Sequence, residues 1–146
     1  MSRTIHHEFH LPQPPEVVWQ YLTEPALLAQ WLMPNDIFPE PGHQFTFRAK
    51  PIPKFGFDGI IKCEILEVIP HQRLIYSWKG GGKKEHPLLD TIVEWTLLPI
   101  AENTTLLRLE HKGFKGLKNL LPYVIMKSGW AKIGKRFIHC LNALEK

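Results

Sequence analysis

Between Pro122 and Leu144, the residues Tyr123, Met126, Trp130, Ile133, Gly134, Phe137, Cys140, Leu141 and Leu144 recur at steps of three and four. That spacing predicts one face of an α-helix. Lys127, Ser128, Lys132, Lys135, Arg136, His139 and Asn142 fill the other side. Pro122 suits a first helical turn, where its missing N–H costs nothing. The stripe is too wide and too aromatic to face water, so the helix needs a large complementary surface.

Most of the remaining chain alternates with period two and supplies that surface. Residues 3–11 predict a first strand with Ile5, His7, Phe9 and Leu11 on one face. Pro15 opens a short helix over Glu16–Leu22, and Thr23-Glu24-Pro25 starts another over Ala26–Leu32 that buries Leu27, Leu28 and Trp31. Strands follow over Gly42–Arg48 (Phe45, Phe47 inward), Gly59–Val68 (Ile61, Cys63, Ile65, with a bulge before Val68) and Arg73–Trp78 (Leu74, Tyr76, Trp78). Gly80–Leu89 reads as a long loop with a flexible glycine tip. Asp90–Leu98 (Val93, Trp95, Leu97) and Thr104–Lys112 (Leu107, Leu109, His111) complete the set, and Gly113–Leu121 is a basic connector. Short turns between successive strands predict an antiparallel meander with one apolar face. The expected fold is α+β: a curved antiparallel sheet of about six to seven strands gripping the C-terminal helix, with two short helices after the first strand.

Length and composition keep the picture simple. The 146 residues are read as a single domain over 1–146, and 44% hydrophobic content is ordinary for a globular chain. No stretch approaches the ~18 apolar residues of a membrane span. The start, Met1 to His7, lacks a signal-peptide core, which points to the cytoplasm. Cys63 and Cys140 lie in apolar patterns and read as buried free thiols. The net charge of +4 is uneven: residues from Lys112 onward carry +7, the rest −3. Such a basic segment could meet nucleic acid, anionic lipid or an acidic protein. Its plainer reading is a solvated helix face. Nucleic acid is not favoured, because no aromatic residues interleave with the exposed cations.

Recognisable catalytic motifs are missing from the sequence, including a nucleophile elbow and a phosphate loop. His6, Glu8 and His10 share a strand face, but same-face residues lie about 6.5–7 Å apart, so they read as polar surface and no metal or cofactor is expected. Glu94 and Glu110 fall on the outer face and are not paired as acid and base. His111 follows Leu107 and Leu109 in phase and points inward, where an imidazole can bind a ligand or carry a proton. With it go Phe47, Tyr76, Trp78, Trp95, Tyr123, Trp130 and Phe137, and Met126 as a soft wall. Rings this large at one curved interface predict an apolar pocket bordered by Phe47, Trp78, Trp95, His111, Met126 and Trp130.

Taken in order, several pieces resemble a known group. They are Pro14-Pro15-Glu16-Val17-Val18-Trp19, Thr23-Glu24-Pro25 through Trp31, Pro41-Gly42, Gly59 and the Pro70-to-Leu74 turn with Tyr76-Ser77-Trp78. Thr104 through His111, Gly113-Phe114 and Gly129-Trp130 continue the series. Together they resemble the SRPBCC, or START-like, helix-grip superfamily, in the branch related to the activator of the heat-shock chaperone ATPase. The resemblance implies the same fold, with a hydrophobic or amphipathic small molecule held between sheet and helix. On this reading the ligand-binding residues are Phe47, Tyr76, Trp78, Trp95, His111, Tyr123, Met126 and Trp130. Two alternatives accompany it. One is a cyclase or dehydratase using His111 with Tyr76 or Tyr123 as proton carriers. The other is a co-chaperone-like module with a chaperone or other protein as partner. Nothing in the pattern selects an oligomeric state.

Overall fold

A computed structural model describes residues 2–83 and 86–145. Strand β1 (Ser2–Leu11) leads into α1 (Pro15–Thr23) and α2 (Pro25–Leu28). The meander then runs through β2 (Gln44–Arg48), β3 (Ile60–Ile69), β4 (Arg73–Lys83), β5 (His86–Ala101) and β6 (Thr104–Lys115). A short 3-10 turn, Leu117–Asn119, delivers α3 (Leu120–Asn142). The six strands pair antiparallel in the order β1-β6-β5-β4-β3-β2, so the first strand closes the meander beside the last.

Alternation decides which way the sheet faces. Phe45, Phe47, Ile61, Cys63, Ile65, Leu74, Tyr76, Trp78, Val93, Trp95, Leu97, Leu107, Leu109 and His111 are all buried on the inner side. The expected bulge in β3 lies between Ile65 and Glu67. α3 packs mainly on β1 and β6. α1 and α2 each begin with a proline, Pro15 and Pro25, and close one end of the sheet. Trp31, just past α2, stacks on Phe137 of α3 at 3.9 Å between ring centroids. That contact joins the helical plug to the gripped helix.

Three boundaries differ from expectation. α2 covers only four residues, because the chain turns after Leu28 to bring Trp31 into the core. α3 begins at Leu120 rather than Pro122, which puts the proline at its third position, where an N–H still has no helical acceptor. The glycine-rich stretch is not a long loop: Gly80 pairs with Leu89, Gly82 with Pro87 and Lys83 with His86, so β4 and β5 extend as a hairpin. The turn itself, residues 84 and 85, lies outside the described residues. Pro87 is tolerated because β5 meets β6 only from Ile92 onward, leaving that part of β5 a sheet edge.

Two glycines on α3 have opposite meanings. A Cβ on Gly134 would overlap the Phe9 ring, whereas a Cβ on Gly129 would meet nothing within 4 Å. Gly134 thus permits the close approach of α3 to β1. Gly129→Ala should stabilise the fold by about 0.5–1 kcal/mol through reduced backbone freedom. Gly134→Val should destabilise it, since overpacking costs about 1–3 kcal/mol and outweighs any helix-propensity gain. Urea denaturation of both variants tests this; equal effects would mean that α3 sits differently on β1.

Candidate functional site

The inward rings form one continuous layer. Phe45 meets Phe47 at 5.4 Å, Phe47 meets Trp78 at 5.3 Å, and Trp78 meets Trp130 at 5.5 Å between centroids. Trp130 meets Trp95 at 5.5 Å, and Trp95 meets Trp31 at 5.9 Å. On the other side Trp78 touches His111, which packs on Phe114 at 4.7 Å, and Phe114 packs on Tyr123. Many of these contacts are edge-to-face or tilted, the geometry that the ring quadrupoles favour. It also lets large rings interlock.

The space expected to be a pocket is therefore filled. Of its six expected border residues, Phe47, Trp78, Trp95, His111 and Trp130 are each at most 1% exposed, and Met126 is half-buried. Two clefts stand out among the described residues, and neither lies between sheet and helix. One, about 420 Å³, is lined by outward groups such as Asp36, Gln44, Thr46, Lys62, Glu64 and Lys79. The other, about 520 Å³, is lined by His6, His7, Glu8, Arg108 and Glu110. Both are polar.

Polar groups inside the layer are matched to one another. Thr91 donates its hydroxyl to the Trp78 carbonyl at 2.9 Å and lies 2.7 Å from His111 Nε2. Trp130 Nε1–H donates to His111 Nδ1 at 3.0 Å. A neutral imidazole protonated at Nε2 satisfies all three groups, so its neighbours set its tautomer. Burial pushes the His111 pKa down to about 3, which keeps the ring neutral. Trp95 Nε1–H donates to the Tyr76 hydroxyl at 2.9 Å, and burial raises the Tyr76 pKa far above its usual range. Both His111 nitrogens are engaged within the core, and Tyr76 holds its proton tightly. Cys63 is a buried free thiol whose pKa burial also raises; Cys140 is free but only half-buried.

The outer face carries charge. Glu94 is 8% exposed and bridges Arg73 and Lys112, with Lys112 Nζ at 2.8 Å from Glu94 and 3.2 Å from Glu110. Its hydrogen bond to Glu94 foremost, with help from Glu110, raises the Lys112 pKa. Lys112 thereby relieves the repulsion between Glu94 and Glu110, which face each other across β5 and β6. Glu8 pairs with Arg108 at 3.1 Å rather than joining His6 and His10. Among the described residues no cluster of three or more His, Cys, Asp or Glu side chains is arranged to hold a metal.

Two residues of the layer have no place in the sequence-derived set. Thr91 keeps phase with Val93, Trp95 and Leu97, so its inward position was legible. Phe114 was not, because Gly113 adopts φ +102° and shifts the β1–β6 register by one residue. The bulge turns Phe114 inward out of the simple alternation.

A third feature lies beside the expected helix face. Leu117 is 85% exposed, Leu121 56%, Val124 54% and Ile125 53%. Leu120 is exposed as well, and Tyr123 and Met126 beside them are half-buried. Leu144, assigned to the buried stripe, is also exposed. The first turns of α3 are thus apolar on both sides, and one side meets solvent. Asn119 fixes this segment by accepting the Lys115 N–H at 3.0 Å.

A sheet curled around a long C-terminal helix, plugged at one end by two short helices, defines a helix-grip protein. The chain belongs to the family described as activator of Hsp90 ATPase homolog 1-like proteins, whose sequence profile matches residues 12–142. Among solved structures it resembles protein MLL2253 from Mesorhizobium loti, with 33% identity over 97% of this chain and 98% of that one and a TM-score of 0.83. It also shares its fold with the Aha1 dimer from Colwellia psychrerythraea (19% identity, 95% and 96% covered, TM-score 0.70). CalU16 from Micromonospora echinospora is a further likeness (24% identity, 94% and 72% covered, TM-score 0.69). No curated protein matches the sequence. No described helix is long and apolar enough to cross a membrane.

Proposed function

We propose that this protein is a noncatalytic binding module whose working surface is the exposed apolar start of α3. The observation that carries this reading is the contrast between a ring-filled interior and four large aliphatic side chains, each more than half exposed, on one short stretch. Contiguous exposed apolar surface of this kind marks interaction sites. In this role Phe47, Tyr76, Trp78, Trp95, His111 and Trp130 form the rigid support behind α3, while Tyr123 and Met126 form the floor of the surface. The family's co-chaperone-like members fit such a role, with residues 1–146 acting as one unit in the cytoplasm.

A second reading keeps a small hydrophobic or amphipathic ligand between sheet and helix. It is favoured by the family fold and by the half-buried Tyr123 and Met126 at the edge of the ring layer. It requires the start of α3 to lift away from the sheet.

Titration with an environment-sensitive apolar dye tests the first reading. The folded protein should bind the dye, and Leu121→Ser with Ile125→Ser should abolish binding while shifting Tm by no more than about 2 °C, as exposed substitutions do. Unchanged dye binding in that variant overturns the surface reading. A copurified small molecule in native mass spectrometry, released with a fall in Tm, would establish the second.

A further inference from the structure

Resting on the binding surface just described, we infer that its occupant is an anionic lipid surface. Two observations select lipid over other partners. The first is charge. Residues 111–144 contain seven Lys or Arg and no Asp or Glu. Lys115, Lys118 and Lys127 are exposed beside the apolar stretch, and Lys132, Lys135 and Arg136 continue along α3. A face combining aliphatic groups with exposed lysines from a segment free of acids is complementary to a negatively charged bilayer interface. Lysine stems can lie along the apolar boundary while their ammonium groups reach the headgroups.

The second observation is the chemistry of the face itself. Its exposed apolar members are Leu117, Leu120, Leu121, Val124 and Ile125. Protein–protein hot spots favour Trp, Tyr and Arg, whereas Leu and Val are under-represented and Lys is depleted. Here the one aromatic residue, Tyr123, is half-buried at the floor, and the exposed groups are aliphatic side chains and lysine. That composition suits a fluid, nonspecific apolar phase better than a shaped protein pocket. The docked face sits on a rigid base: Tyr123 packs on Phe114, and the Lys127 carbonyl lies 3.0 Å from His7 Nε2 of β1.

Vesicle sedimentation with the intact protein tests the inference, using phosphatidylcholine vesicles with and without phosphatidylglycerol. Binding should require phosphatidylglycerol and weaken strongly as salt rises, since screening shortens the reach of the lysines. Lys118→Glu with Lys127→Glu should weaken it at least about tenfold, because one lysine near an anionic surface is worth about fivefold. Leu121→Ser with Ile125→Ser should weaken it with the charges unchanged. All four positions are exposed, and circular dichroism verifies folding. Absence of vesicle binding while the dye still binds overturns the lipid inference and leaves the surface reading intact. Dimerisation that buries the face, read by sedimentation velocity and loss of dye binding, overturns it in favour of a second copy. Preference for polyglutamate over vesicles overturns it in favour of an acidic polypeptide.

Discussion

Trp130→Ala and Phe137→Ala should each cost roughly 3–5 kcal/mol of folding stability. Both side chains are at most 1% exposed, and each holds α3 to a different partner. Phe137 stacks on Trp31 from the helical plug. Trp130 sits against Trp78 and Trp95 of the sheet and donates its indole N–H to His111. Truncation leaves a cavity among rings that cannot collapse into it without abandoning their edge-to-face contacts. For Trp130 it also strips His111 Nδ1 of its donor, a further penalty of about 1–3 kcal/mol. A domain of this size has about 5–15 kcal/mol in total, so either loss is large. Trp130→Phe separates the two contributions at Trp130, keeping most of the volume and removing the hydrogen bond. Urea unfolding measures all three variants. Losses below about 1 kcal/mol for both alanine variants would mean that α3 presents another face to the sheet.

The fold was readable because two periodicities dominate the chain. Alternation placed Phe47, Tyr76, Trp95 and Leu109 inward, and steps of three and four placed Trp130 and Phe137 inward. Both signals survive because a one-residue slip would expose a whole row of apolar side chains. Where periodicity breaks, the reading fails for identifiable reasons. At Gly113 a bulge moves Phe114 out of phase. At Gly80–Gly82 the local composition favours a turn, but pairing of Gly80 and Gly82 with β5 keeps the stretch in the sheet. Tertiary contact overrides propensity there.

The site was less legible, and the aromatic count misled. Seven inward rings suggested poor interdigitation and hence a pocket. Orientation, which the sequence does not encode locally, decides the outcome instead. Phe45 and Tyr76 meet at 82°, Trp95 and Trp130 at 83°, and Trp31 and Trp95 at 81°, so edges fill the spaces between faces. The exposed aliphatic start of α3 was missed for a related reason. Leu121, Val124 and Ile125 fall outside the stripe of three- and four-residue steps, and that pattern alone assigns them to neither face. Only the path of α3, which packs mainly along β1 and β6, leaves them in solvent.

His111 should make the protein acid-sensitive in a defined window. Its folded-state pKa is about 3, lowered by burial from an ordinary value of 6.5. The unfolded chain therefore binds a proton on this ring between those values while the folded chain does not. Stability from keeping the ring neutral is fully present above pH 6.5 and is lost as pH falls toward 3. At 1.36 kcal/mol per pH unit, the loss should reach about 3 kcal/mol near pH 4. The groups around the ring are Thr91, Trp78, Phe114 and Trp130, none of which offers a charge to stabilise an imidazolium. Protonation would also remove the acceptor at Nδ1 that Trp130 uses, so a charged ring and the native hydrogen bond exclude each other. His111→Gln cannot titrate and should be less stable at neutral pH, with a shallower dependence on pH from about 6.5 down to 4. Carboxylates elsewhere contribute to acid unfolding in both proteins, so the difference between the two slopes isolates His111. Urea unfolding at successive pH values provides that difference. Equal slopes in the two proteins would show that the ring titrates normally, and the closed aromatic layer around it would have to be open to water.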